Sequence, residues 1–200
     1  MNLFDLDERR NLLPYDGEVI YYGRILTPAV ANAYLDKLMR SVNWKNDEMV
    51  IYGKHFITQR KAAWYGDQNY SYTYSGTTKQ AILWTDELRE IKTLVEKHCG
   101  STFNSCLLNL YHNGGEGMSW HSDDERLLGN DIVIASLSLG AERKFSFKHK
   151  TTKQTTSIDL ENGSLLVMKG TTQRNWLHAV PKTTKVKQPR INLTFRTIVG

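Results

Sequence analysis

Residues 109–125, NLYHNGGEGMSWHSDDE, place a histidine two positions before an aspartate, His121-Ser122-Asp123. On an extended strand, residues i and i+2 share a face, so an imidazole and a carboxylate at this spacing can address one metal ion. The pair alone identifies nothing. Six histidines, each with roughly a one-in-ten chance of an acid two places on, give about 0.6 such pairs by accident. A third ligand has to come from His55, His98, His112, His149 or His178. His98 ends a helical pattern and suits a surface or capping role, and His112 has the wrong parity relative to Asn109 and Tyr111. His178, in NWLHAVPK, lies a short connection before the segment RINLTFR and can reach the same place. Two histidines and one carboxylate that leave positions open suit non-haem Fe(II) and oxygen chemistry.

A second polar set lies in that last segment. Strand alternation puts Ile191, Leu193 and Phe195 on one face and Arg190, Asn192, Thr194 and Arg196 on the other. NLYH repeats the pattern, with Asn109 and Tyr111 opposite Leu108 and Leu110. If both polar faces point into a barrel mouth, they line a pocket for a small dianion. Arginines six positions apart stand roughly 20 Å apart along a strand. With each side chain reaching inward, a five-carbon diacid fits between them, and guanidinium is suited to planar carboxylates.

The elements that must position these residues follow from periodicity. Thr27-Pro28 predicts a helix start, after which Val30, Tyr34, Leu35, Leu38, Met39 and Val42 recur at helical spacing. A second helix is predicted from Thr85 to Gly100, burying Leu88, Ile91, Leu94 and Val95. Residues 49–76 read as strand and loop. From residue 105 onward come CLLNLYH, DIVIASLSL, KFSFKH, TTSIDL, SLLVMK and RINLTFR, with Asn162-Gly163 the clearest hairpin signal. Glycines 114, 115 and 117 permit a tight loop. Helices followed by strands predict an α+β, mainly β protein: an antiparallel sandwich or jelly roll with buttressing helices.

Composition bounds the rest. Two hundred residues fit one domain, and a net charge of +5 with pI near 9.1 leans toward polyanionic partners. Cys99 and Cys106 cannot make a four-thiolate zinc site and read as buried thiols in a reducing compartment. MNLFDLDERR lacks the apolar stretch of a secretion signal, and no segment has the ~18 apolar residues of a membrane span. The expectation is a monomer with no membrane association and an intracellular location, cytoplasmic in a bacterium or nuclear in a eukaryote.

His121-x-Asp123, then His178, then RxNxTFR from Arg190, preceded by NLY, resemble the 2-oxoglutarate/Fe(II) dioxygenases of the AlkB family. A chance match to the five fixed residues of RxNxTFR is on the order of one in ten thousand. The similarity covers most of the chain. YGKHFITQRKAAWYGDQNYSYTYSG (residues 52–76) and HSDDE are closest to the branch that repairs alkylated bases in duplex DNA. The resemblance implies a double-stranded β-helix over residues 1–200, with helices and a nucleotide-recognition lid in 1–104 and the catalytic core in 105–200. It implies Fe(II) on His121, Asp123 and His178, with 2-oxoglutarate and O2 as co-substrates. Arg190, Asn109 and Tyr111 would hold the distal carboxylate, and Arg196, Thr194 and Asn192 the end nearest the metal. An N-methyl group on a base of the 1-methyladenine or 3-methylcytosine type would be hydroxylated and lost as formaldehyde. A base must leave the duplex to reach such a site. Tyr52 at a hairpin tip would fill the gap, although the branch more usually has a plain apolar or phenyl wedge there. Tyr72 and Tyr74 would border the flipped base, Asp124 would accept from its amine, and Arg60 and Lys61 would meet the DNA backbone. Competing readings are an RNA or tRNA demethylase, a hydroxylase of the same family and a non-catalytic nucleic-acid-binding module.

Overall fold

In the computed structural model, which describes residues 10–51, 54–74, 77–124, 126–129 and 132–199, both predicted helices form where their caps place them. Helix α1 (Pro28–Ser41) follows β1 (Glu18–Arg24), and the Thr27 side chain accepts from the backbone N–H of Val30. Helix α2 (Asp86–Cys99) starts at Thr85, whose side chain accepts from Leu88, and ends at Gly100 in the left-handed region at φ 66°. Asp86 and Glu87 in the first turn, with Lys97 and His98 in the last, complement the helix dipole. One expected core position departs: Val30 is 43% exposed, and Ala31 takes the buried place beside Leu38.

Between the helices lie β2 (Lys45–Ile51), β3 (Lys54–Gly66), β4 (Ser71–Tyr74), β5 (Thr77–Gln80) and β6 (Ile82–Leu83). After them come β7 (Ser105–Tyr111), β8 (Met118–His121), β9 (Ile134–Gly140), β10 (Arg143–His149) and β11 (Thr155–Leu160). Strand β12 (Ser164–Lys169), the short helix α3 (Thr172–Asn175), β13 (Trp176–Val180) and β14 (Arg190–Arg196) complete the order.

Two sheets face each other. The major sheet runs β1-β12-β9-β14-β7-β3-β2, with β6 pairing parallel to β3; the minor sheet runs β11-β10-β13-β8. Strands β4 and β5 form a separate pair. This is the expected jelly roll. Strand β1 pairs with β12 and β3 with β7, so the major sheet crosses the boundary drawn at residue 104.

Alternation along β14 divides the interior. Ile191, Leu193 and Phe195 lie wholly buried in the core beneath α1 and α2, together with Leu38, Leu88 and Ile91. Burying each such side chain contributes about 1.5–3 kcal/mol. A second apolar cluster, including Phe145, Phe147 and Trp176, fills the space against the minor sheet. Arg190, Asn192 and Thr194 are also buried, on the opposite face of β14 from the helices. No helix among the described residues is long and apolar enough to cross a membrane.

Asn162-Gly163 does not close a hairpin between paired strands. Strand β11 pairs with β10 in the minor sheet, whereas β12 pairs with β1 and β9 in the major one. The dipeptide carries the chain from one sheet to the other. Gly163, at φ +80°, donates its N–H to Ser138 and accepts at its carbonyl from Ile25 and Leu26. The Asn162 side-chain Oδ1 accepts from the backbone N–H of Gly140. The left-handed glycine was legible; which strands it joins depends on these long-range bonds.

Candidate active site

Strand β8 ends at His121 and pairs with β13, bringing His121 directly opposite His178. Asp123 follows two residues on. Its backbone N–H donates to the side-chain oxygen of buried Gln173 in α3, which fixes the turn that brings the carboxylate inward. One ligand atom from each of His121, Asp123 and His178 lies within 4.8 Å of the others. Asp123 Oδ1 stands 3.8 Å from His121 Nε2, and Oδ2 stands 3.9 Å from His178 Nε2. The His121 Nδ1 lies 2.9 Å from the Ser119 carbonyl. A carbonyl only accepts, so Nδ1 carries the proton and Nε2 keeps its lone pair for a metal.

The electrostatics favour the ligating forms. Burial lowers the His178 pKa to about 3, against the raising pull of Asp123, so the ring is neutral at pH 7. For Asp123, burial raises the pKa, but Arg196, His178 and His121 outweigh it and the carboxyl titrates below its ordinary value. Arg196 Nη2 lies 2.9 Å from Asp123 Oδ1 and holds the carboxylate in place.

The other histidines go elsewhere. His98 Nδ1 bonds the Leu94 carbonyl at the end of α2, and His112 pairs with Glu116 at 2.9 Å. His149 is buried against Tyr15 and Trp176. The side chain of His55 lies outside the description.

The polar face of β14 forms a connected wall. Arg190 Nη2 donates to Ser138 Oγ at 2.9 Å and to Asn192 Oδ1 at 2.7 Å. Ser136 donates to the same Asn192 oxygen, and Asn192 Nδ2 donates to Thr194 Oγ1. The Arg190 guanidinium lies 5.4 Å from the centre of the Tyr111 ring, and that of Arg143 lies 5.7 Å from it. Arg190 is 1% exposed, and its Nε and Nη1 meet no acceptor among the described residues. Burial lowers its pKa to about 10, so it remains a cation at pH 7. A buried guanidinium with two nitrogens lacking acceptors is costly unless an anion completes it. This is the observation by which a dicarboxylate fits the wall, as the His-Asp-His donor set fits Fe(II).

The structure thus brings together nine of the residues singled out by spacing. Of the expected substrate contacts, Arg60 departs most. It is 5% exposed and donates through Nη1 to Asn109 Oδ1, so it supports the wall rather than facing solvent. Lys61 is the next residue along β3, so strand alternation turns its side chain to the opposite face from Arg60. Asp124 is exposed beside Asp123, accepts from Ser122 Oγ and lies 3.8 Å from Lys150 Nζ. Tyr72 and Tyr74 stand on β4, opposite Lys79 and Thr77. Tyr52 lies outside the described residues. Gln173, Ser136, Ser138 and Arg143 were missed; only tertiary pairing makes them part of the site, and no local spacing marks them.

Residues 18–196 match the family description 2OG-Fe(II) oxygenase superfamily. The chain belongs to that superfamily and, within it, to the AlkB family. Human alpha-ketoglutarate-dependent dioxygenase alkB homolog 3 is 40% identical over 178 residues, covering 84% of this chain and 62% of that protein. Mouse DNA oxidative demethylase ALKBH2 is 35% identical over 188 residues, covering 86% and 79% respectively. The Arabidopsis thaliana ALKBH2 is 32% identical over 214 residues, covering 94% and 68%. The chain therefore spans about 62% of the length of the alkB homolog 3 proteins it matches. The solved structure of OsALKBH1 superposes with a TM-score of 0.63 at 16% identity, covering 90% of this chain and 97% of that one. The two share a fold.

Proposed function

We propose that the protein removes N-alkyl groups from bases in DNA by oxidation, with duplex DNA favoured, and acts as a monomer. One observation carries the reading: a His-Asp-His cluster shares the interior with a buried arginine whose Nε and Nη1 meet no acceptor among the described residues. The relatives named as DNA oxidative demethylases, and the net charge of +5, support a nucleic-acid substrate.

In this reading His121, Asp123 and His178 hold Fe(II). Arg190, with Asn109 and Tyr111, holds the far carboxylate of 2-oxoglutarate, and Arg196, Thr194 and Asn192 address the end nearest the metal. Bound Fe(II), with 2-oxoglutarate and O2, supplies the oxidising power that inserts oxygen into an N-methyl C–H bond, leaving succinate and CO2. The hydroxymethyl group then departs from the base nitrogen as formaldehyde. Neutral His178 and anionic Asp123 keep the ligand set constant across neutral pH. Arg196 holds Asp123 in its ligating orientation, and Arg190 anchors the diacid away from the metal. Asp124 and the tyrosines of β4 are assigned to the target base, and Tyr52 to the gap it leaves.

The test is succinate and formaldehyde release with Fe(II), 2-oxoglutarate and oligonucleotides carrying 1-methyladenine or 3-methylcytosine. Release that requires both the methyl group and 2-oxoglutarate is expected, and none from any methylated oligonucleotide refutes the reading. Tyr52→Ala tests the duplex preference. It should depress repair of a methylated duplex strongly and spare the same lesion in a single strand, where there is little stack to disrupt.

A further inference from the structure

We propose that the groove beside Trp64 is a second nucleotide site, which holds the base next to the one being repaired by stacking it against the indole. The inference rests on the nucleic-acid reading above and adds a location and a chemistry to it.

The groove has a volume of about 1050 Å³, enough for a nucleotide, and lies between the β2–β3 hairpin and the chain leading into α2. Trp64, Leu107, Ile57 and Ile82 give it apolar walls, and Lys45 and Lys79 stand among its polar ones. No acidic side chain is among its described walls. Flat apolar surface edged by cations is the chemistry by which proteins hold unpaired bases while neutralising their phosphates. Ile57 and Ile82 are also among the exposed large apolar side chains of the described residues.

The groove continues the active-site face. Trp64 pairs with Leu107, which pairs in turn with Thr194, so the three share one side of the major sheet. Two strand spacings place Trp64 roughly 10 Å from Thr194. Two residues beyond Thr194, Arg196 binds the Asp123 carboxylate. A strand delivering one base to the metal centre therefore has its neighbouring nucleotide within reach of the groove. The indole is also fixed before any ligand arrives. Its Nε1–H donates to Ser105 Oγ at 2.7 Å, and Tyr70 stacks on it with ring centres 6.3 Å apart. Any side chain at position 66 would strike the Tyr70 ring, so Gly66 permits that stack. A ring held in this way loses little freedom when a base settles on it.

The test measures binding by fluorescence anisotropy, using a labelled single-stranded oligonucleotide with one 1-methyladenine. A second oligonucleotide has abasic residues on both sides of the lesion. The wild-type protein should bind the abasic-flanked strand about tenfold more weakly, since base–aromatic stacking contributes ~1–3 kcal/mol. Trp64→Ala should weaken the normal strand by the same factor and leave the abasic-flanked strand unchanged. Trp64→Phe, which keeps a flat ring, should retain most of the difference. Equal affinity of the wild-type protein for both strands overturns the proposal without any variant. Equal weakening of both strands by Trp64→Ala overturns it too. Formaldehyde release from the normal strand is measured alongside: its absence refutes the demethylase reading, while the binding comparison still decides the groove.

Discussion

At the scale of single residues, a neutral buried imidazole and an arginine with two nitrogens lacking acceptors make separable predictions. His178→Ala should abolish turnover while the far-UV circular dichroism stays native, because it removes one ligand from an otherwise intact sandwich. Mn(II) in place of Fe(II), at about 100 times its Kd, should stabilise the wild-type protein by about 2.7 kcal/mol, or about 5–10 °C in Tm. That shift should vanish in the variant. Arg190→Ala should weaken 2-oxoglutarate by ~2–5 kcal/mol and leave DNA binding unchanged, which titration calorimetry separates. A pH effect follows in the metal-free protein. His178 titrates at about 3 when folded and near 6.5 when unfolded. Between those values the unfolded chain holds a proton that the folded one does not, so stability falls as pH drops through this window. From pH 7 to pH 5 in EDTA the loss from this group is about 2 kcal/mol, and the urea midpoint should fall less steeply in His178→Ala.

At the scale of elements, local chemistry marked helix ends, strands and the parity of β14, because each depends on neighbours in sequence. Thr85 and Gly100 bound α2 as their side chain and left-handed backbone require. The clustering of the candidate metal and co-substrate residues was legible because strand alternation and an ordered motif place them on shared faces. What stayed hidden was the set of partners supplied across sheets. Gln173 binds the Asp123 backbone from fifty residues away, and Arg60 turns inward because Asn109 is its neighbour across β3 and β7. The crossover at Gly163 belongs here. Its φ of +80° and a Cβ position 2.8 Å from the Leu26 carbonyl oxygen leave no room for a side chain. Left-handed backbone alone costs a larger residue about 1–2 kcal/mol. Gly163→Ala should lower Tm by about 3–8 °C at this chain length, with the metal-induced shift preserved.

At the scale of the molecule, the sheets bring together residues that no short segment could. The candidate metal cluster draws on β8, the turn after it and β13, and the wall against it on β7, β9 and β14. Strand β14 occupies the middle of the major sheet, hydrogen-bonded to β9 on one side and β7 on the other. A chain ended after Gln188 should therefore lack native structure, giving little circular dichroism signal for the sandwich and early-eluting aggregates on size exclusion. A soluble, folded truncation would contradict this.

That placement also matters while the protein is being made. Among the described strands of the major sheet β14 is the last to be synthesised, so β7 and β9 are made with open edges and no partner between them. Synthesis at ~5–20 residues per second leaves those edges bare for several seconds. Unpaired strand edges invite pairing with other chains. Yield in the cell should therefore be governed less by the stability of the finished protein than by how well a chaperone shields the nascent chain during that interval.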